Sequence, residues 1–224
     1  MKKVVLKIYN ITKKYGEQLA VDNVNMTIKK GDIYGFIGQN GAGKTTLIRL
    51  ITGLIHKSGG EIELLGANEE NELNKARTMV GSLIESPSLY TNMTARENLE
   101  VSRLVRNIPG KKCIDEVLEL VGLKDVEKKK VKNFSLGMRQ RLGIANALMG
   151  NPKLLILDEP INGLDPMGIV EIRELLKLID CLVEGRYVHE KKHLTLQFRG
   201  SSNQRIIDVQ KSLKENTLVT HRLN

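Results

Sequence analysis

The stretch that decides the fold is Gly38-Gln39-Asn40-Gly41-Ala42-Gly43-Lys44-Thr45-Thr46. It fits the pattern G-x-x-x-x-G-K-[ST], in which backbone N–H groups of a glycine-rich loop cradle phosphate groups. The apolar residues 33–37 before the loop predict a short buried strand, and residues 47–51 after it predict a helix. The motif requires this order of strand, loop and helix, so the stretch predicts a phosphate-binding loop.

The chemistry of the loop predicts a site for a nucleoside triphosphate. The glycines let the backbone turn inward, and the helix N-terminus adds the positive end of its dipole. We expect Lys44 to reach the β- and γ-phosphates and the Thr45 hydroxyl to ligate Mg²⁺. The alternative, a glycine-rich turn before an ordinary helix, is disfavoured by the preceding strand and by the placing of Gly43, Lys44 and Thr45.

Composition indicates an intracellular globular protein. The 224 residues are 41% apolar and 27% charged, and no apolar run approaches the roughly 18 residues that a membrane span needs. The N-terminus lacks the apolar segment of a signal peptide, and Cys113 and Cys181 are too few for a disulfide framework or a zinc site. The net charge of +9 comes from scattered lysines. It favours a solvated surface first and an anionic membrane second, and few aromatic residues accompany it, so no nucleic-acid partner is predicted.

Periodicity predicts an α/β chain. Alternation of apolar and polar residues predicts antiparallel strands at residues 4–9 and 24–29 and a further strand at residues 61–65. A capping box, Thr94 with Glu97, opens a helix that reaches residue 104. Helical spacing covers residues 113–121 and 136–149, and the apolar residues 153–157 predict a buried parallel strand. Asp165 and Pro166 are typical of the start of another helix.

Two groups of residues in the second half of the chain carry candidate chemistry. Asp158 and Glu159 follow the buried strand, where a phosphate-loop nucleotidase holds the aspartate that organises Mg²⁺, and Glu159 would polarise the attacking water. Ser135 can cap the next helix, and Gly137 allows close backbone approach. Taken alone, the first group is also a polar turn after a strand and the second is also an ordinary capped helix.

Together these motifs resemble the ATP-binding subunit of ATP-binding-cassette (ABC) transporters, from the first strands to about residue 178. Tyr15 matches the aromatic residue on which the family stacks adenine. Residues 38–46 match the Walker A loop, residues 154–159 the Walker B strand, residues 135–140 the LSGGQ signature and residues 163–165 the D-loop. The resemblance implies a P-loop NTPase fold with an N-terminal antiparallel β subdomain, a RecA-like parallel-sheet core and a helical signature subdomain at about residues 88–150.

The resemblance also implies cofactors, partners and a location. ATP and Mg²⁺ would bind, with Lys44 and Glu159 as catalytic residues. Two ATP-binding subunits, as a homodimer or a pair, would join head to tail, so that Ser135 and Gly137 grip the nucleotide held by the partner. A separate transmembrane permease would carry the substrate, and the chain would lie peripherally on the cytoplasmic side of the membrane. Cassette proteins that act on ribosomes or DNA are an alternative, but the paired cassettes or coiled-coil insertions typical of them do not appear.

The sequence departs from the family at three places. The signature has Leu136 and Met138 where Gly and Gln are usual. Glu85 stands where the family has the glutamine of the Q-loop, a metal-contacting position. An acidic residue there resembles the exporters that protect producers of lantibiotics and bacteriocins. A shifted alignment, with Glu85 an exposed loop carboxylate, is the alternative.

The third departure is the histidine that the family places after a buried strand to contact the γ-phosphate. His189 and His193 lie in a charged stretch, and Arg199 follows a short alternating run. We therefore expect the ABC domain to span residues 1–180, with a divergent segment at 181–224. An internal deletion near residues 179–185 is the favoured explanation, and a divergent strand with Arg199 near the histidine position is the rival. Because a missing charge-stabilising group slows turnover, a cassette that binds ATP but hardly hydrolyses it is the alternative function.

Overall fold

The computed structural model describes residues 2–32, 34, 41–161, 164, 166–167, 169–170, 206–207 and 220–221. The chain divides into two compact units, one containing Met1–Arg77 and Asp180–Asn224 and the other Thr78–Ile179. Within these described residues, no helix has the length and apolar character needed to cross a membrane.

The first unit is built on an antiparallel sheet. Its strands are β1 (Val4–Tyr15), β2 (Gln18–Lys29) and β3 (Gly59–Leu64), in the order β2-β1-β3. The alternation of apolar residues puts one face of the central strand into the core, where Leu6, Ile8 and Ile11 are at most 2% exposed. This sheet is the predicted N-terminal β subdomain, and both outer strands pair antiparallel to β1.

A bulge in β1 explains why Ile8 and Ile11 share the buried face although they are three residues apart. The register between β1 and β2 shifts between these two residues. Asn10 has a left-handed backbone with φ of 49°, and its backbone N–H donates to Asn25 Oδ1 at 2.9 Å. Because the bulge inserts one residue, Ile11 lies on the same face of β1 as Ile8, and the apolar face of the strand stays continuous.

The first unit also contains two helices. Helix α1 (Lys44–Ile51) follows the glycine-rich loop and buries Leu47, Ile48, Leu50 and Ile51. Helix α2 (Glu70–Arg77) is mostly charged and is anchored by Leu73 and Ala76. Periodicity did not predict α2, because only two apolar residues mark its inner face.

The second unit contains a parallel strand pair and the helices packed around it. Strands β4 (Val80–Leu83) and β5 (Leu154–Leu157) pair in parallel, and β5 is buried throughout. The helices are α3 (Ala95–Val105), α4 (Lys112–Leu120) and α5 (Leu136–Leu148), with short 3₁₀ turns at Lys124–Val126 and Val131–Asn133.

Two short strands that belong to the first unit, β6 (Ile206–Ile207) and β7 (Thr220–His221), pair with each other.

Two glycines let α5 pack closely on β4 in the second unit. A Cβ on Gly81 would lie 2.0 Å from the Ala147 carbonyl oxygen. A Cβ on Gly143 would lie 2.6 Å from Pro87 Cβ and 3.1 Å from Leu83 Cδ1. Side chains larger than hydrogen at these positions would push the helix away from the strand, so both glycines are packing requirements.

A cluster of four charged residues joins the start of α3 to α4 and the turn after it. Arg96 Nη2 lies 2.5 Å from Asp115 Oδ1 and 2.6 Å from Glu127 Oε2, and Lys124 pairs with the same aspartate. The hydrogen bonds from Lys124 and Arg96 lower the pKa of Asp115 to about 2. Arg96 likewise lowers the pKa of Glu127. The cluster ties α3 to its neighbours at the surface.

The regular elements predicted from periodicity are confirmed where the structure describes them. The capping box at Thr94 is present with both of its hydrogen bonds, and the amphipathic helix and the buried parallel strand occur within a residue or two of their expected bounds. The strands β1 and β2 are longer than predicted, since they extend to a hairpin turn at Gly16 and Glu17. The predicted strand at residues 33–37 lies outside the described residues except for Tyr34.

Candidate functional site

Gly43, the glycine of the Gly43-Lys44-Thr45 triplet, holds the start of α1 tightly against β2. Gly43 is the N-cap residue, with a left-handed backbone at φ 82°. A Cβ at this position would lie 2.2 Å from the Ala20 carbonyl oxygen and 3.3 Å from Val21 Cγ2. Only glycine combines this φ with this approach, so the residue is required by backbone sterics as well as by any ligand.

The first turn of α1 has the electrostatics of an anion site. Gly43 has no side chain to cap the helix, and the first turn contains no acidic residue. The positive end of the helix dipole is therefore not offset by a carboxylate within the helix. Lys44, Thr45 and Thr46 form this turn and are half-buried. Residue types and backbone together suit a bound polyphosphate.

The rest of the phosphate loop is described only in part. Gly41 also has a left-handed backbone, with φ of 84°, and both Gly41 and Ala42 are exposed. Gly38, Gln39 and Asn40 lie outside the described residues.

Tyr15 lies at the end of β1, where the hairpin to β2 begins. It pairs with Gln18 across the hairpin, and its side chain is 48% exposed. The Lys13 ammonium nitrogen lies 4.8 Å from the centroid of the Tyr15 ring. Sequence reasoning did not identify Lys13, although the alternation of a strand places it on the same face as a residue two positions away.

Asp158, Glu159 and Glu85 follow neighbouring parallel strands in the second unit. The Asp158 backbone N–H donates to the Leu83 carbonyl at 2.8 Å, so the ends of β4 and β5 are held together. Asp158 is only 4% exposed, whereas Glu159 and Glu85 are exposed. Carboxyl ends of adjacent parallel strands share one edge of the sheet, so the structure brings all three carboxylate residues to that edge.

Two of these carboxylate residues have unusual backbones. Glu159 has φ of 47° and Glu85 has φ of 58°, both in the left-handed region. Non-glycine residues there cost about 1–3 kcal/mol and occur disproportionately at functional sites. Five other described non-glycine residues also have positive φ, so these values agree with a site at this edge but do not identify it.

The carboxylates at this edge of the sheet suit Mg²⁺. Asp158 and Glu85 offer only oxygen atoms, which this cation prefers. Within the part of the chain that the structure describes, no group of three or more His, Cys, Asp or Glu side chains could hold a metal ion. Mg²⁺ is commonly bound by one or two carboxylates together with substrate phosphates, and the small number of carboxylates here agrees with that coordination.

Ser135 and Gly137 lie at the start of α5. Ser135 is the N-cap residue, is exposed, and accepts a hydrogen bond from the Met138 N–H at 3.1 Å. A Cβ on Gly137 would lie 3.8 Å from Leu164 Cδ2, which is an ordinary contact. Packing among the described residues therefore does not demand glycine at this position. The contact also brings the signature beside Leu164 of the predicted D-loop, whose other members Gly163 and Asp165 lie outside the described residues.

The segment predicted to lack the histidine also falls outside the described residues. His189, His193 and Arg199 are all in it, as is the predicted deletion junction at residues 179–185. Pro166, Met167, Ile169 and Val170 have helical backbone, in agreement with the predicted helix after the D-loop.

A sequence profile of ABC transporters matches residues 21–162. A second profile, of a 4Fe-4S single cluster domain, matches residues 161–207. A cluster of that type is held by cysteine thiolates, usually four, and the whole chain has two cysteines, of which only Cys181 lies in the matched range. The residues present therefore do not fit an iron–sulfur cluster.

Characterised relatives include antibiotic transport proteins. The bacitracin transport ATP-binding protein BcrA of Bacillus licheniformis is 53% identical over 172 residues, which cover 77% of this chain and 56% of that protein. The lantibiotic transport ATP-binding protein SrtF of Streptococcus pyogenes is 43% identical over 85% of this chain and 83% of its own length. The chain spans little more than half the length of the bacitracin relative.

Solved structures agree with the sequence matches. The dimeric ATP-binding cassette MJ0796, in a post-hydrolysis state with ADP and Pi, superposes with a TM-score of 0.72 and 28% identity. That superposition covers 81% of this chain and 88% of the cassette. The matching profile spans more than half of the chain, and the order of phosphate loop, signature and Asp158-Glu159 is the one that the family requires. The chain therefore belongs to the ABC transporter family, in which it represents the ATP-binding domain.

Proposed function

We propose that this chain binds ATP with Mg²⁺ and hydrolyses it as the ATP-binding subunit of an ABC transporter. The observation that carries the proposal is the start of α1, where Gly43 is locked against Ala20 and the first turn lacks both a side-chain cap and an acidic residue. In a chain of this family, such a helix start suits the β- and γ-phosphates of ATP.

The nucleotide would be held by three parts of the first unit. Tyr15 would stack on adenine, and the backbone of Gly38, Gln39, Asn40, Gly41, Ala42 and Gly43 would surround the phosphates. Lys44 would supply the cation at the β- and γ-phosphates, and Thr45 and Thr46 would complete the turn. A charge-assisted hydrogen bond from Lys44 is roughly twice as strong as a neutral one, so this contact would dominate affinity.

The two adjacent carboxylates would have different roles. Thr45, Asp158 and Glu85 would hold Mg²⁺, which when bound neutralises charge on the phosphate oxygens. Glu159, which is exposed while Asp158 is buried, would orient the attacking water and accept its proton. A buried residue anchored to the neighbouring strand suits a fixed ligand, and an exposed one suits contact with solvent and substrate.

Partners and location follow from family membership. Ser135 and Gly137 would contact the γ-phosphate bound by a second ATP-binding subunit, so that ATP closes a head-to-tail dimer. A separate transmembrane permease would use this motion, and the chain would act peripherally at the cytoplasmic face of the membrane. Because the relatives are named for bacitracin and lantibiotic transport, we propose peptide antibiotics as substrates, with export or self-protection as the purpose.

The test of nucleotide binding is the Lys44→Ala variant. We expect ATP affinity to fall on the order of 10- to 100-fold, since a charge-assisted contact to phosphate is removed. Calorimetric titration of ATP with Mg²⁺ measures this, and Lys7→Ala, which removes an exposed positive charge from β1, is the matched control. Equal affinity in Lys44→Ala and the parent protein would remove the phosphate-loop assignment.

The test of hydrolysis is the Glu159→Gln variant in single-turnover assays. We expect the rate to fall about 10²- to 10⁴-fold and an ATP-bound dimer to accumulate. The exposed Glu119→Gln is the control. A parent protein that binds ATP but shows no turnover sensitive to Glu159 would favour the hydrolysis-impaired cassette, which stays a prediction.

A further inference from the structure

We infer that Lys13 is a positioning residue for the nucleotide base, because it covers one face of the Tyr15 ring and leaves the opposite face for adenine. The inference rests on the proposed function, in which Tyr15 stacks on the base. It adds a residue that the sequence motifs did not single out and assigns it a role in affinity for the base rather than for the phosphates.

The first support is the contact itself. Lys13 and Tyr15 are two residues apart on β1 and so share one face of the strand. The Lys13 ammonium lies 4.8 Å from the ring centroid, within the range of a cation–π interaction. The ring is nevertheless 48% exposed, which leaves area for a planar ligand.

The second support is that the lysine is itself held in place. Its ammonium donates to the His56 carbonyl at 2.7 Å. The segment that contains His56 is fixed alongside β1, since the Ser58 N–H donates to the Thr12 carbonyl at 2.9 Å and Ser58 Oγ accepts from the Lys14 N–H at 3.0 Å. Lys13 therefore has an anchored hydrogen-bond partner in addition to the ring.

The third support is the connection to the phosphate loop. Residue 56 lies five residues beyond the end of α1, and the intervening turn is closed by the Leu54 N–H donating to the Arg49 carbonyl at 2.8 Å. One end of α1 presents the phosphate-binding turn and the other leads to the carbonyl that holds Lys13. At the first end, Gly43 contacts Ala20, two residues after Gln18 in the hairpin that begins at Tyr15. The hairpin that contains Tyr15 is thus connected to both ends of α1.

These contacts predict an effect confined to ligands that carry a base. Without the Lys13 ammonium, the Tyr15 ring would lose its fixed orientation. Nucleotide binding would then carry the entropic cost of ordering that ring, a cost that the parent protein avoids. A cation–π contact at a half-exposed site corresponds to an affinity change of about two- to fivefold. Tripolyphosphate has no base, so its affinity should not change.

The experiment compares ATP and tripolyphosphate, each with Mg²⁺, by calorimetry on the whole chain. Lys13→Met keeps the aliphatic stem and removes the charge. We expect it to weaken ATP about two- to fivefold while tripolyphosphate binds as before. Lys13→Arg keeps a cation over the ring and should restore ATP affinity. Lys14→Met, on the opposite face of β1, is the matched control and should leave both ligands unchanged.

The Tyr15→Ala background completes the test. There, Lys13→Met should no longer affect ATP, since the ring through which it acts is gone. The inference is overturned if Lys13→Met leaves ATP affinity unchanged, if it weakens ATP and tripolyphosphate equally, or if its effect persists without Tyr15. A parent protein that binds neither ligand would instead overturn the proposed function, and this inference would go with it.

Discussion

The N-termini of α1 and α5, both proposed to contact ATP phosphates, are built in opposite ways. Helix α1 begins at Gly43, which has a left-handed backbone, no side-chain cap and no room for a Cβ. Helix α5 begins at Ser135, which has an extended backbone and caps the helix with its own hydroxyl. Gly137, the second residue of α5, has room for a methyl group among the described residues. Backbone sterics at Gly43 fix the start of α1. At the start of α5, the Ser135 hydroxyl already accepts a backbone N–H without a ligand.

A third helix start shows what the two have in common. Helix α3 begins at Thr94 with a complete capping box, and Glu97 places a carboxylate in its first turn. Neither α1 nor α5, whose residues are all described, has an acidic residue in the first turn. The helix dipole is therefore offset at α3 and available to an anion at the other two. The difference between α1 and α5 agrees with the proposal that one binds the chain's own ATP and the other a partner's.

The largest expected effect is that of Gly43→Ala. Its Cβ would meet the Ala20 carbonyl in a backbone conformation that alanine resists, so we expect the free energy of unfolding to fall by about 2–4 kcal/mol and ATP binding to be lost. Chemical unfolding and calorimetry measure the two. Gly41→Ala is the matched control: φ is also positive, but its Cβ meets no described atom within 4 Å, so about 1 kcal/mol is expected. Equal costs for both variants would show that the contact with Ala20 does not matter.

The next largest effect is expected when the helix cap at Ser135 is removed, and removal of the cap at Thr94 is the comparison. Ser135→Ala and Thr94→Ala should each lower the free energy of unfolding by about 1 kcal/mol, because each removes a hydroxyl that accepts a helix N–H. Only Ser135→Ala should also reduce ATP hydrolysis and ATP-dependent dimerisation. If the two variants hydrolyse ATP equally, Ser135 is a structural cap alone.

A smaller effect, of opposite sign for stability, is expected for Gly137→Ala. Alanine in a helix is favoured over glycine by roughly 0.5–1 kcal/mol, and the described surroundings accommodate a methyl, so the free energy of unfolding should rise slightly. Hydrolysis should nevertheless fall, since the partner's phosphate would approach the bare backbone. Thermal unfolding and steady-state turnover separate these effects, and a variant with normal turnover would contradict the close approach.

The smallest effect is expected at the charge cluster of Arg96, Asp115, Lys124 and Glu127, which ties α3 to α4. Lys124 and Arg96 hold the pKa of Asp115 at about 2, below its usual 3.8, so its contribution to stability is present above pH 4 and disappears as the pH falls toward 2. Asp115→Asn should lower Tm by about 1–3 °C at pH 7, and the difference should be much smaller at pH 2. A difference that is the same at both values would rule out the ionised pair as its cause.

Local patterns predicted most of the regular structure. The capping box at Thr94, the alternation in β1 and the apolar run of β5 were all recognisable, because each pattern is contained in a few consecutive residues. Helix α2 was missed because its anchoring depends on two apolar residues and on Arg77, which pairs with Glu70 at 2.8 Å. The roles of Tyr15, Lys44 and Glu159 were predicted from motif order, and they remain proposals for the experiments above.

The sequence by itself determined where the phosphate loop ends, that Lys44 and Thr45 open a helix, and that Asp158 and Glu159 follow a buried strand. A glycine before a GKT motif and an unbroken apolar run are local properties, and the backbone follows them directly. Only the tertiary structure decided that Gly43 lies against Ala20, that the Asp158 N–H bonds the Leu83 carbonyl at the end of β4, and that His56 holds Lys13 beside Tyr15. Each of these contacts joins residues more than 20 positions apart, and chain closure over such distances depends on the packing of whole elements rather than on any local preference.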